Sequence, residues 1–171
     1  MSRQRGRRQR GFSLLELAVV AVILSLLLGL LLERLSYYQE AAERARFEAT
    51  LQGYKTALQI RLAELILERR EGEARRLEVE NPTRWLSETP TDYGGSLPQR
   101  PEPGLWYFDE SSRELVYVAN TARRLAVEPR NGLKQLRFSV KVVYQDVPAS
   151  GRLIRSVAGI ALQPASAYRW P

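Results

Sequence analysis

The chain has 171 residues, with 26 Lys and Arg against 19 Asp and Glu and neither His nor Cys. That composition excludes a Ser-His-Asp triad, a Cys nucleophile, a disulfide and the usual zinc, haem and iron–sulfur sites, leaving carboxylate, hydroxyl, Lys and Arg chemistry. Five arginines fall in residues 1–11, and without them the balance is 21 basic to 19 acidic residues, so the net charge of +7 is mostly a terminal tag rather than a nucleic-acid footprint.

From Leu17 to Leu32 the chain runs sixteen residues without a charge, and back to Phe12 the one charge is Glu16. At about 1.5 Å per residue, such a helix crosses a hydrocarbon core of roughly 30 Å. Arginines crowd the side before it, whereas residues 33–48 mix Arg34, Arg44 and Arg46 with four glutamates. The positive-inside rule therefore puts the N-terminus in the cytoplasm and residues 34–171 outside. The apolar run is too long for a cleaved signal peptide, and Glu33-Arg34-Leu35-Ser36-Tyr37 lacks the small-x-small pattern of a signal-peptidase site. Glu16 is out of place, because a carboxylate at mid-bilayer costs about 2.5–3.5 kcal/mol and is retained for function. The bland alternative is an interfacial side chain that snorkels to the headgroups.

The segment Gly11-Phe12-Ser13-Leu14-Leu15-Glu16-Leu17, after an arginine-rich leader and before the apolar helix, resembles the N-terminus of type IV prepilins and type II secretion pseudopilins. The resemblance implies that prepilin peptidase cuts after Gly11, that Phe12 becomes the N-methylated mature terminus, and that Glu16 serves assembly. It implies as partners prepilin peptidase, other pilin or pseudopilin subunits, an inner-membrane assembly platform and membrane lipid; from the residues themselves no cofactor and no metal site is predicted. The site is a processing and assembly site, with no catalytic residue. The physics agrees, since a new amine on Phe12 entering an apolar filament core needs an opposite charge, which Glu16 of a neighbouring subunit supplies. Ala18, Ala21, Ser25 and Gly29 allow helices to approach closely. Many family members carry a proline where this chain has Glu33, so no kink is predicted there, and Gly29 and Gly53 are the remaining places for a bend.

Beyond the anchor, Leu35 to about Arg70 is rich in helix formers and free of proline. Phe47, Leu51, Tyr54, Leu58, Leu62 and Leu65 share one helix face and need a cover, whereas Glu40, Glu43, Arg44, Arg61, Glu64 and Glu68 read as a solvated face. Gly72 is the candidate cap, and Asn81-Pro82 stops any continuation. Residues 81–104 hold five prolines and three glycines and read as an irregular surface connection, pinned by Trp85, Leu86 and Tyr93. A hairpin is predicted from Leu105-Trp106-Tyr107-Phe108 and Leu115-Val116-Tyr117-Val118 across the turn Asp109-Glu110-Ser111-Ser112. Further strands are predicted at residues 136–144 and 157–162, with a turn at residues 147–151. The fold class is α+β and pilin-like: a long N-terminal helix, part membrane anchor and part amphipathic, packed on a small antiparallel sheet. Its parts are a leader (1–11), a transmembrane and assembly helix (12–33), an amphipathic helix (34–80) and a β-rich globular part (81–171).

Asp109, Glu110 and Glu114 around a turn raise the question of calcium, but the spacing is not that of an EF-hand and Asp and Ser at a turn are ordinary turn chemistry. Trp106, Tyr107 and Tyr117 suit stacking on a sugar or base, yet alternate aromatics in a hairpin read first as core and cross-strand pairs. The lack of Cys forbids the C-terminal disulfide loop of many major pilins and favours a pseudopilin or minor pilin. The reading is thus a non-enzymatic filament subunit, first in the bacterial inner membrane with its C-terminal domain periplasmic, then in a pilus or pseudopilus. The alternatives are a single-pass inner-membrane protein with a ligand- or partner-binding periplasmic domain, and a DNA-uptake pilin using Arg123, Arg124, Arg130, Lys134 and Arg137 on phosphates. Nucleic acid is the disfavoured partner, since such a cluster in a polar connection is more often solvated.

Overall fold

A computed structural model describes residues 14–149 and 152–171. The chain forms two compact units, the first ending at Gln39 and the second running from Glu40 to Pro171. Helix α1 (Leu14–Leu67) is 54 residues long and passes through Gly29 and Gly53 without interruption. It stops at a left-handed residue, Arg69, with φ 58°. The Arg70 N–H reaches back to the Leu65 carbonyl (2.7 Å) and the Arg69 N–H to that of Ile66 (3.0 Å), which satisfies two terminal carbonyls in a Schellman arrangement. The cap is therefore Arg69 and not Gly72, which instead lies in the 3-10 segment Glu71–Glu78. A second 3-10 turn, Pro82–Trp85, is opened by the Asn81 side chain, which accepts the Thr83 N–H, with Pro82 at the first helical position.

Five strands follow: β1 (Tyr93–Ser96), β2 (Trp106–Asp109), β3 (Glu114–Val118), β4 (Gln135–Ala149) and β5 (Arg152–Pro164). They form one sheet in chain order, antiparallel from β2 to β5. The predicted hairpin is β2–β3, and both later strands are present but longer than predicted. The turn expected over residues 147–151 is pushed outward: pairing continues to Ala149 opposite Arg152, and residues 150–151 lie outside the described residues. The parallel edge strand β1 was not predicted. Its sequence, Tyr93-Gly94-Gly95-Ser96, has no apolar alternation to mark a strand. A Cβ on Gly94 would come within 2.4 Å of the Tyr107 ring, so glycine is required for this close approach.

The α1 stripe is covered as its spacing demands. Phe47, Leu51, Tyr54, Leu58, Leu62 and Leu65 are all buried, against Trp106, Leu115, Tyr117, Leu136, Phe138, Val140 and Leu162. Phe47 lies parallel to Trp106 with ring centroids 5.3 Å apart, and touches Tyr117 and Trp170 at 5.0 and 5.4 Å. Pleat alternation sends Tyr107, Val116 and Val118 to the opposite face, where Leu97, Leu105 and Leu133 cover them. Residues 81–104 are thus tied to both faces, with Trp85, Leu86 and Tyr93 on the helix side as predicted. Above Ser139, β4 loses β3 as a neighbour, and the Val142 N–H donates instead to the Glu78 carboxylate at 2.9 Å.

Candidate functional site

Gly11 and Phe12, the processing residues expected from the sequence, lie outside the described residues, as does the leader. Glu16 lies at the start of the described part of α1. The stretch that follows contains an eighteen-residue window of mean hydropathy 2.8 of which none is buried. Leu14, Leu26 and Leu30 are 86%, 67% and 64% exposed. Within this stretch Ser25 turns its hydroxyl onto the Ala21 carbonyl (2.7 Å), which hides its one polar group inside the helix, and nothing comes within 4 Å of a Cβ built on Gly29. Ala18, Ala21, Ser25 and Gly29 therefore leave a line of little steric bulk along a helix that is otherwise Leu, Val and Ile.

The first α1 residues to be buried are the ones the sequence placed in solvent. Glu40 is 5% exposed. It accepts the Arg124 N–H (2.9 Å) and the Trp170 indole N–H (3.2 Å), and pairs with the Arg124 guanidinium at 3.5 Å. Glu43 accepts the Tyr117 hydroxyl (2.9 Å), the backbone N–H groups of Asn120 and Thr121 (2.6 Å each) and the Thr121 hydroxyl. Burial works against its charge, but the bonds from Thr121, Asn120 and Tyr117 outweigh it and hold the carboxyl below its ordinary value. Burial first, and then the facing Glu43 charge, push the Tyr117 phenol well above its ordinary range. The signal was present in the spacing: residues 40 and 43 continue the stripe 47, 51, 54, 58 backward by helical steps. Arg61 is also not purely solvated, since it lies over the Trp85 ring at 4.5 Å as well as bonding Glu64.

Lys134 complements these two carboxylates on the same segment, donating to the carbonyls of Ala122 (2.7 Å), Leu125 (2.8 Å) and Arg123 (3.3 Å). Glu40 and Glu43 thus take the N–H groups of Asn120, Thr121 and Arg124 while Lys134 takes the carbonyls of Ala122, Arg123 and Leu125. The carboxylates considered for calcium are engaged by protein groups. Asp109 and Glu114 both meet Arg137 Nη1, at 2.9 and 2.7 Å, and Asp109 also caps its turn by accepting from Ser111 and Ser112. Burial opposes the Asp109 charge, yet the bonds from Ser111, Arg137 and Ser112 set its carboxyl far below the usual range. Glu110 turns away to Ser96. Of the five basic residues considered for phosphate, Arg124, Lys134 and Arg137 therefore have internal partners, and Arg123 and Arg130 are exposed. Trp106, Tyr107 and Tyr117 are all buried, Trp106 and Tyr117 as a direct cross-strand pair, which makes them core rather than a stacking platform.

Comparison with known proteins bears on the N-terminal stretch alone. Searches of curated proteins and of solved structures give no match. Residues 6–32, which hold Gly11, Phe12, Glu16 and the apolar stretch of α1, match the family described as the prokaryotic N-terminal methylation motif, so the chain carries a type IV pilin-like prepilin signal.

Proposed function

We propose that the chain is the precursor of a structural subunit of a type IV pilus-like filament or a type II secretion pseudopilus. The observation that carries this reading is the coincidence of the methylation motif at residues 6–32 with a helical stretch that is strongly apolar and buries nothing against its own chain. Such a surface is stable only in lipid or among like helices. The cut falls after Gly11, residues 1–11 leave, and Phe12 becomes the methylated terminus. The subunit first resides in the inner membrane with residues 34–171 on the periplasmic side, and then moves into the filament. There the Phe12 amine needs a negative partner, and Glu16 of an adjacent subunit supplies it. Prepilin peptidase, the assembly platform and neighbouring subunits are the partners, and the role is one of assembly rather than catalysis. The absence of cysteine favours a pseudopilin or minor pilin.

Intact-mass measurement of chain extracted from cells with an active prepilin peptidase tests the reading. The expected mass is that of residues 12–171 with one methyl group, and a chain still beginning at Met1 overturns it. Glu16→Ala then separates the steps: insertion and cleavage persist while filament incorporation falls. Wild-type incorporation would leave Glu16 as an interfacial side chain only.

A further inference from the structure

We infer that the cleft between β4, residues 128–130 and residues 165–167 binds a neutral stretch of extended polypeptide through its backbone amides, with Gln135 and Arg137 as the recognising side chains. The cleft has a volume of about 410 Å³. β4 contributes Gln135 and Arg137 to it, and Pro129, Ala165, Ser166 and Ala167 form its walls. It lies wholly within the second unit, on the sheet face opposite the α1 stripe: Gln135 and Arg137 pair with Val118 and Val116 of β3, which belong to the smaller apolar cluster. Two polar groups in the lining are buried without a partner. Gln135 is 6% exposed, and among the described residues its Oε1 has no hydrogen-bond partner. The same holds for Nε of Arg137, a side chain 11% exposed. All the Arg137 bonds run through Nη1, to Asp109, Glu114 and the Ser112 hydroxyl, so the Nε edge of the guanidinium is unused. Unpaired buried donors and acceptors are costly, and an apolar side chain at position 135 would avoid that cost. Their retention side by side in one cleft points to a ligand that supplies both missing bonds.

Charge and spacing say which ligand. Arg137 already faces two carboxylates, and Glu128 and Arg130 add one exposed charge of each sign, so the lining has no surplus positive charge to hold an anion. The group that fits is neutral, accepts from Arg137 and donates to Gln135, which is the pair an amide offers. Residues 135 and 137 are two apart on a strand, about 6.7 Å, and the N–H and C=O groups on one side of an extended chain recur at the same interval. The walls are small side chains, so a main chain can come close where a bulky group could not. None of the lining residues is aromatic, which leaves no ring for the face of a sugar. The occupant is therefore an extended segment of a partner polypeptide, read by its backbone. The inference stands apart from the filament reading, since every residue it uses lies in the second unit.

The test follows the Arg137 Nε–H and the Gln135 side-chain amide of the full chain in detergent micelles by proton–nitrogen NMR. Acetyl-trialanine methylamide, a neutral peptide without polar side chains, is titrated in, and both signals are expected to shift together and saturate. Gln135→Leu removes an unpartnered polar group and keeps its space filled, so the fold is expected to persist while the peptide binds about fivefold more weakly or worse. Ala167→Trp fills the cleft from its exposed wall, leaves both recognising side chains in place, and is expected to abolish the titration. Unchanged backbone amide signals of β2 and β3 verify the fold of each variant. Shifts that never saturate, or that Gln135→Leu leaves at wild-type strength, overturn the inference and assign the cleft to solvent. Saturation by sodium acetate at the same concentration overturns the neutral class and makes Arg137 an anion site. Saturation by N-acetylglucosamine but not by the peptide overturns the extended chain in favour of a sugar.

Discussion

Residues 14–39 and residues 40–67 are consecutive stretches of one helix, yet the more hydrophobic of the two is the one that buries nothing. In the first, leucines stand 49–86% exposed. In the second, six residues at helical spacing are nearly inaccessible among a majority of polar ones. Hydrophobicity alone therefore does not say whether a helix belongs to a core. What matters is whether the apolar positions form a stripe that a sheet can cover or run around the whole circumference, which only lipid or like helices can cover.

The comparison can be broken most forcefully at the stripe. Phe47→Ala removes a ring packed on Trp106, Tyr117 and Trp170, and Leu58→Ala removes a side chain that is 1% exposed. The expected losses are about 3–5 and about 2–5 kcal/mol, each at the scale of a buried cavity. All three tryptophans, Trp85, Trp106 and Trp170, lie in the second unit, so their emission during denaturation in detergent reads that unit alone. If Leu58→Ala left the unfolding midpoint in place, the stripe would be an assembly face rather than a core, and the distinction between the two stretches would collapse.

How far the sequence reveals this arrangement depends on which kind of signal a residue carries. The stripe, the β2–β3 hairpin and the long final strands are legible because apolar spacing reports burial directly. The N-terminal motif is legible because its chemistry is local in sequence. Gly94 and Arg69 are not: one is fixed by the Tyr107 ring and the other by a left-handed cap, and neither requirement shows in periodicity. Glu40 and Glu43 were misplaced because charge was given precedence over position. Their partners, Asn120, Thr121, Arg124 and Trp170, are remote in sequence, so nothing local shows that the two carboxylates are satisfied inside.

A smaller effect is expected where the carboxylates enter the core. Glu43→Gln keeps the shape but loses the charge that gathers four donors, for an expected loss of about 1.5–3 kcal/mol at neutral pH. The Glu43 carboxyl is held below its ordinary 4.5 in the folded chain, so the wild type keeps this stabilisation above that pH and loses it as pH falls through the lower folded value. The gap between wild type and Glu43→Gln should therefore close in acid. At the other extreme, the Tyr54 and Tyr117 phenols are raised above their ordinary 10, Tyr54 chiefly by burial. The stability they contribute is complete below pH 10 and falls as pH rises toward their folded values. Unfolding midpoints measured across pH verify both signs, and a Glu43→Gln gap that widened in acid would show that the carboxylate is not held ionised by its donors. Gly94→Ala is expected to cost about 1–3 kcal/mol by driving a methyl into the buried Tyr107 ring, and a silent substitution would mean that the edge strand yields instead.

The smallest expected effect sharpens the comparison most, because it is a null on one side only. Leu26→Ala makes the same chemical change as Leu58→Ala in the same helix, but Leu26 is 67% exposed where Leu58 is 1%. No cavity opens within the second unit, so its unfolding midpoint in detergent should move by less than about 0.5 kcal/mol. Membrane retention should barely change either, since one leucine contributes about 0.5 kcal/mol to insertion and the stretch holds many others. A second-unit destabilisation of more than about 1 kcal/mol would mean that the first stretch is covered by its own chain. The apolar surface would then be a core element, and the case for a helix that seeks lipid or like helices would fall back on the motif at residues 6–32.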